Sequence, residues 1–474
     1  LKKYSSLKEI HTLILQHKLT LPSLLTYYLE QIKKNEHLNA FNEVFFYSAA
    51  AQAEKVQQKI DAGTAGKLAG MVIGIKDNIC YLDHEVTASS KMLEGFVSPY
   101  SSTVVKRLLE EDAVIIGRLN CDEFAMGGSN ETSYFGHVKN AADHSLVAGG
   151  SSGGSAVAVQ ADMCLSSLGT DTGGSVRQPA AFCGQIGLKP TYGRISRYGI
   201  IAYASSFDQV GTITSSVTDT ALLLEVLAGA DENDSTVSPL AVPEYSKHLH
   251  QHKKQKIAVL KETIDSDALD PKVKAAILTS IKDLEDKGHT IEYVSFDMLD
   301  YLVPAYYILT AAEASSNLSR YDGVHYGHRN TDATSLTELY KKSRAEGFGE
   351  EVKRRILLGT FVLSAGYYDA YYQKAQKVRR LIRERMDVLF EDFDLVLSPV
   401  APTTAFKIGD NMQNPLVMYM ADIFTVLPSL SGNPAIALPL GNNEDGLPLS
   451  IQFIAKHFDE DKLLAFSEEF LAVG

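Results

Sequence analysis

No stretch of the chain stays apolar for the roughly 20 residues that a membrane-spanning helix needs, so nothing in it reads as a transmembrane segment. The first residues, LKKYSSLKEIHTLI, carry lysines but no uninterrupted apolar core and no small-residue cleavage site, so they do not read as an export signal. The chain begins at Leu1, and further residues are expected in front of it. Cysteine is scarce: Cys80, Cys121, Cys164 and Cys183 are the only four, and none forms a C-x-x-C pair. That argues against a zinc ribbon and predicts no metal site, while so few cysteines in a long chain fit reduced thiols and a cytoplasmic location. Cations are also short, with 45 Lys and Arg against 58 Asp and Glu, a formal net charge of −13. A chain that gripped nucleic acid by itself should be basic over at least one face. Any tRNA or DNA is therefore expected on another subunit.

What is present is enough for a large core: 474 residues, 45% of them hydrophobic. Ser6 and Glu9 stand at capping-box spacing ahead of a stripe of Leu7, Ile10, Leu13 and Ile14, which predicts an N-terminal helix. The segment LAGMVIGIKD reads as a buried strand through Met71–Ile75 that delivers Lys76 to its end. STVVKRLLEEDAVIIGRLN reads as a helix and then a strand at Val114–Gly117. KIAVL and TIEYVSF read as strands on either side of a helix with Asp270 as N-cap, Pro271 at its first position and Gly288 past its end. This alternation predicts an α/β protein with a mixed or parallel sheet covered by helices. About 311–385 reads as mainly helical, and no internal repeat is visible. His248, His250 and His252 could align on a strand as metal ligands, but their lysine neighbours favour a solvated linker.

The most unusual segment is AGGSSGGSAVAVQ, in which Gly149 to Ser155 are all Gly or Ser. A flexible linker should be flanked by polar, aperiodic sequence. Here a small, apolar stretch follows at once, and AVAVQADMCLSSLGTD reads as an interior helix with the Gly/Ser run at its N-terminus. A nucleotide-binding P-loop is not supported, since no Gly-Lys-Ser/Thr ends the run. The run matches G-x-S-x-G twice, with Ser151 or Ser152 at the centre, as in the nucleophile elbow of an α/β-hydrolase. Such matches are nearly automatic in a Gly/Ser tract. The elbow also requires a later histidine, and His457 has nothing to mark it as catalytic. A second glycine-rich turn, Asp171 to Ser175, has few Cβ atoms in its way and could aim backbone N–H groups at one point, as an oxyanion hole must. Ser175 ends that turn as a possible nucleophile. A serine needs a base, and a lysine can serve if burial drives it to the neutral form. Lys76, at the end of an apolar strand, is the candidate.

VIGIKDNI, GGSSGGSAVAV and LGTDTGGSVRQPAAFCGQIGLKPTYGRIS, together with the spacings between them, resemble the amidase signature family. The resemblance implies that family's fold, a large mixed β-sheet covered on both faces by helices, with 1–474 as a single amidase domain. Within it, 1–65 would be an N-terminal helical part, 66–240 the signature core with the triad, and 305–395 a mainly helical segment contributing to the substrate pocket. It implies a Ser–cis-Ser–Lys triad: Ser175 as nucleophile, Ser151 as the bridging serine on a cis peptide, and Lys76 as the ultimate base. The oxyanion hole would be Thr172, Gly173 and Gly174. LNCDEFAMGGSNETSYFG, EASSNLSRYDGVHYGHR, SRAEGFGEEVKRRILLGTFVLSAGYYDAYY and SPVAPTTAF resemble one branch of that family, the glutamine-hydrolysing subunits of tRNA-dependent amidotransferases. That resemblance covers essentially the whole chain, although the end at FLAVG falls short of the usual tail. It implies glutamine as substrate, with Arg355 on its α-carboxylate, Asp422 on its α-ammonium and Tyr306 seating it. Arg354 and Tyr307 are the adjacent alternatives. It implies no cofactor in this chain. A partner B subunit would carry ATP and Mg, hold the tRNA and use the ammonia to convert Glu-tRNA(Gln), or also Asp-tRNA(Asn); a C subunit would complete the heterotrimer. A stand-alone amidase of the same family, a His-dependent α/β-hydrolase and a non-enzymatic scaffold remain as other readings.

Overall fold

A computed structural model describes residues 4–251, 253–410 and 415–472. Among these residues, eleven strands join in one sheet: β1 (Phe41–Val44), β2 (Val72–Lys76), β3 (Val114–Leu119), β4 (Ser166–Asp171), β5 (Ile186–Lys189), β6 (Gln209–Thr214), β7 (Lys256–Leu260), β8 (Thr290–Val294), β9 (Leu395–Ser398), β10 (Ala435–Asn442) and β11 (Pro448–Ala455). Their spatial order is β1-β3-β2-β4-β6-β5-β10-β11-β9-β7-β8. Parallel pairs (β2 with β3 and β4, β7 with β8 and β9) stand on either side of an antiparallel run from β4 to β9, so the sheet is mixed, as expected. Every residue of β2 to β6 and of β9 is buried. Successive strand residues point to opposite faces, so both faces must be covered over this central part. Helix Gly153–Gln160 packs on β2, β3, β4 and β6, and helix Arg177–Phe182 on β5, β10 and β11.

Local signals place many of these elements. The N-terminal helix spans Leu7–Leu15, and the Ser6 side chain accepts from Glu9 N. The reciprocal half of the expected capping box is displaced: the Glu9 carboxylate takes Ser5 N and Ser5 Oγ at 2.9 Å each. The Leu7 amide is instead satisfied by buried Asp219, more than two hundred residues on. The helix Pro271–Asp286 has Asp270 as N-cap and lies between parallel β7 and β8, the βαβ unit read from the sequence. Helices Leu299–Asn317, Leu336–Gly347, Glu350–Val362 and Lys374–Asp392 supply the helical segment.

One expectation needs correction. The helix after the Gly/Ser run does not continue to Asp171: it begins inside the run at Gly153 and ends at Gln160. Asp162 turns the chain with φ 57°, and Ser166–Asp171 becomes β4 because β2 and β6 offer it ladders on both sides. The histidine segment forms no strand: His248 ends a short helix, Tyr245–His248, and its Nδ1 lies 3.0 Å from Asp461. His252 lies outside the described residues. Among the described residues no group of three or more His, Cys, Asp and Glu is placed to hold a metal, and no helix is long and apolar enough to cross a membrane.

Candidate active site

β2 and β4 are parallel neighbours, so their C-terminal ends lie side by side. β2 ends in Lys76 and β4 in Asp171. The Gly/Ser run passes over these ends. Lys76 is completely buried, with Nζ donating to Ser151 Oγ at 2.7 Å and to Thr170 Oγ1 at 3.0 Å. Burial drives the ammonium below its ordinary range, and the nearby acids Asp122 and Asp171 only partly oppose it. The Gly150–Ser151 peptide is cis.

The glycines of the run have steric reasons. A Cβ on Gly150 would lie 2.1 Å from Asp122 Oδ2, and one on Gly154 would lie 2.4 Å from the Asn120 carbonyl. The Gly150 amide is fixed by Gln178 Oε1 at 2.9 Å, and Ser152 N donates to the Ser175 carbonyl at 3.1 Å. The run and the second glycine turn are therefore stitched together by backbone. Ser175 is 8% exposed, whereas Ser151 and Lys76 are 0% exposed. Of the three, only Ser175 reaches open space.

The second turn is built around one carboxylate. Asp171 accepts from Gly174 N at 2.8 Å and Val176 N at 3.1 Å, and Arg177 meets it with Nε and Nη2 at 3.0 and 2.9 Å. Burial alone would raise the Asp171 carboxyl; the Arg177 guanidinium outweighs it and holds the carboxyl below the usual range. This corrects one expected role, because the Gly174 amide is already engaged and is not free to receive an oxyanion. Thr172, Gly173 and Ser175 carry the amides that remain in the turn. Both ion-pair side chains are fully buried, so removing one strands the other. Asp171→Ala is expected to cost about 3–5 kcal/mol, measured by urea unfolding. Since the folded carboxyl titrates below the unfolded one, this stabilisation is present above the unfolded value and lost as pH falls through the folded one.

The three expected substrate-binding residues converge beside this turn. A Cβ on Gly173 would lie 2.4 Å from the Tyr306 hydroxyl, so that ring rests directly on the turn. Tyr307, the neighbouring candidate, donates to Asp422 Oδ2 at 2.7 Å and stacks on Tyr419 with centroids 4.0 Å apart. Burial pushes the Asp422 carboxyl up to about 7, although the Tyr307 hydrogen bond and Arg355 pull the other way. Arg355 is buried; Nε meets Glu351 Oε1 at 2.8 Å, Nη1 meets Tyr203 Oη at 2.7 Å, and its guanidinium lies over the rings of Tyr203, Tyr307 and Tyr419. Arg354 is half exposed and pairs with the other Glu351 oxygen, so of the two arginines Arg355 faces the site. His457 takes no part: its Nε2 bonds the Ser431 carbonyl and its Nδ1 faces Asp387, which removes the base an α/β-hydrolase elbow would need.

The motifs did not single out Arg177, Tyr203, Glu351, Tyr419 or Asp208, and they gave Asp171 only as the start of the turn. Glu351 and Arg355 stand at i, i+4 on one helix, a spacing visible in sequence. The contacts of Tyr203 and Tyr419 with Arg355 cross the fold and leave no local trace.

The sequence profile of the amidase family matches residues 23–464. The A subunit of glutamyl-tRNA(Gln) amidotransferase from Chlorobium phaeobacteroides is 47% identical over 469 residues, 98% of each chain. The like-named protein of Koribacter versatilis is 50% identical over 441 residues, 93% of this chain and 92% of that one. The crystal structure of the corresponding glutamyl-tRNA(Gln) amidotransferase chain from Thermotoga maritima matches with a TM-score of 0.77 at 39% identity, covering 94% of this chain and 93% of that one. The chain belongs to the amidase family.

Proposed function

We propose that the chain is the glutamine-hydrolysing subunit of a tRNA-dependent amidotransferase. The observation that carries the chemistry is a buried lysine, its ammonium form disfavoured, 2.7 Å from the hydroxyl of Ser151. The relatives named above support the substrate. In this reading neutral Lys76 takes a proton from Ser151, which takes one from Ser175 as Ser175 Oγ attacks the glutamine side-chain amide carbon. The oxyanion faces the amides of Thr172, Gly173 and Ser175. The proton returns to the leaving nitrogen, the C–N bond breaks and ammonia departs. Water then cleaves the glutamyl ester to glutamate and free Ser175. Ammonia passes to a B subunit that holds Glu-tRNA(Gln), and in some systems Asp-tRNA(Asn), and uses ATP and Mg; a C subunit completes a cytoplasmic heterotrimer. The acidic balance of this chain agrees with tRNA lying elsewhere.

The amino-acid end of glutamine is taken by the charged pair: Arg355 for the carboxylate and Asp422 for the ammonium. Arg355→Lys is expected to raise KM for glutamine about tenfold to a hundredfold with a smaller change in kcat, because a point charge replaces a planar fork. Arg354→Ala should stay within about twofold. Equal effects of the two changes in steady-state kinetics would reverse the assignment. KM should also rise as pH falls below about 7, where Asp422 takes up a proton and loses its attraction for the ammonium.

The deciding assay is glutamine-dependent amidation of Glu-tRNA(Gln) with and without candidate B and C subunits. Hydrolysis of unrelated amides, with no glutamine preference and no stimulation by partners, would favour a stand-alone amidase.

A further inference from the structure

The antiparallel ladder between β4 and β6 ends with Asp171 opposite Gln209. One step further it sets Thr172 against Asp208, and the two side chains meet: Thr172 Oγ1 donates to Asp208 Oδ1 at 2.7 Å. The same carboxylate accepts Tyr203 N at 2.9 Å and Ala204 N at 3.0 Å through Oδ2. Asp208 is 4% exposed and faces no cation within ion-pair distance among the described residues. Three neutral donors hold it, and burial pushes its carboxyl up to about 6.

What those donors belong to gives the contact its meaning. Thr172 opens the turn that carries Gly173 and Ser175. Tyr203 receives Arg355 Nη1 on its hydroxyl and donates to Thr310 Oγ1 at 2.9 Å. Thr310 Oγ1 in turn donates to the Tyr306 carbonyl at 2.8 Å, and the Tyr306 ring rests on Gly173. The contacts thus close a ring: Thr172, Asp208, Tyr203, Thr310, Tyr306, Gly173. On the glutaminase reading, one part of the ring would face the reacting carbonyl, and another holds Arg355, proposed for the substrate carboxylate.

We propose that Asp208 is a positioning residue that sets the oxyanion turn and the Arg355 carboxylate clamp at one fixed separation, so that a substrate with both an amide and an α-carboxylate is seated for attack and one lacking the carboxylate is not. Asp208 acts through Thr172 and Tyr203 and does not touch the substrate. A side chain that bound both ends less rigidly would leave each group in place but lose the register between them. This rests on the reading of the chain as a glutaminase.

The test compares glutamine with 4-aminobutanamide, the same molecule without its carboxylate, on the chain assembled with its partner subunits. Asp208→Asn keeps an acceptor for Thr172 but turns an amide N–H₂ toward the amides of Tyr203 and Ala204. It is expected to lower kcat/KM for glutamine about a hundredfold. It should lower that for 4-aminobutanamide only about tenfold or less, so the preference shrinks. Thr172→Val, which cuts one link and keeps the shape, should lower kcat for glutamine about tenfold with KM within about twofold, and Thr172→Ser should restore it. A purely structural role would lower both substrates in proportion. An unchanged preference in Asp208→Asn, or Thr172→Val behaving as the unaltered protein, overturns the inference even if Asp208→Asn folds poorly. Failure of the glutaminase reading shows differently, as absence of glutamine turnover in the unaltered complex.

Discussion

Ser175→Ala is expected to lower glutamine hydrolysis by about 10⁴-fold or more, because removing an attacking oxygen leaves only binding and oxyanion contacts to act on the amide. The change is small for the fold. Ser175 contributes its carbonyl to Ser152 N, and that contact is backbone. The side chain is nearly buried and alanine fits its place. The variant should therefore assemble with partner subunits, and the complex should still amidate Glu-tRNA(Gln) when ammonium salt replaces glutamine. Retained glutamine turnover would move the nucleophile elsewhere. Loss of the ammonium-dependent reaction as well would mean that the change damaged assembly.

Lys76→Ala is the second large effect, about 10³-fold or more in kcat. Lys76→Arg should be as severe, since a guanidinium stays protonated and cannot accept the Ser151 proton. The pH profile separates this from simple loss of packing. In the unaltered protein activity should rise with pH as Lys76 loses its proton. Burial moves that rise below the ordinary lysine range. The residual activity of Lys76→Ala should lack it. A retained rise would assign the titration to another group. The fall in glutamine affinity below about 7, assigned to Asp422, is read from KM and is distinct from a change in kcat.

The sequence carried the site better than it carried the wiring. Lys76, Ser151 and Ser175, the proposed triad, stand out in the sequence because each lies in a glycine-rich or strand-end motif, but their separate roles came from the family resemblance. The sense of the Gly/Ser run was legible from the apolar residues after it. The length of the helix it opens was not, because the strand form of Ser166–Asp171 comes from its ladder partners rather than from a local signal. Two neighbouring strands claim it, one of them more than 30 residues later in the chain. Gly174 shows the same limit on a smaller scale. Composition marks it as a turn residue, but that its amide points to Asp171 follows from the position of Arg177. The choice between Arg354 and Arg355 needed the helix phase, which the sequence leaves uncertain by a residue or two at a helix start. Asp208 has no motif: its meaning comes from the strand register that places it opposite Thr172.

The strand order has a consequence for how the protein is made. β10 lies between β5 and β11, and β11 joins β9, so the second half of the sheet docks onto the first through strands that come late in the sequence. A nascent chain that has emerged as far as Lys189 and Thr214 already holds both serines and the lysine, yet one edge of β5 has no neighbour until Ala435 arrives. For more than 200 residues of synthesis that edge is open to any other extended segment. Asp422 arrives shortly before β10, so the substrate pocket and the sheet are completed at nearly the same moment. The pocket is therefore complete only after the chain has emerged past Ala435, and an earlier stop leaves a reactive-looking serine on an unfinished sheet.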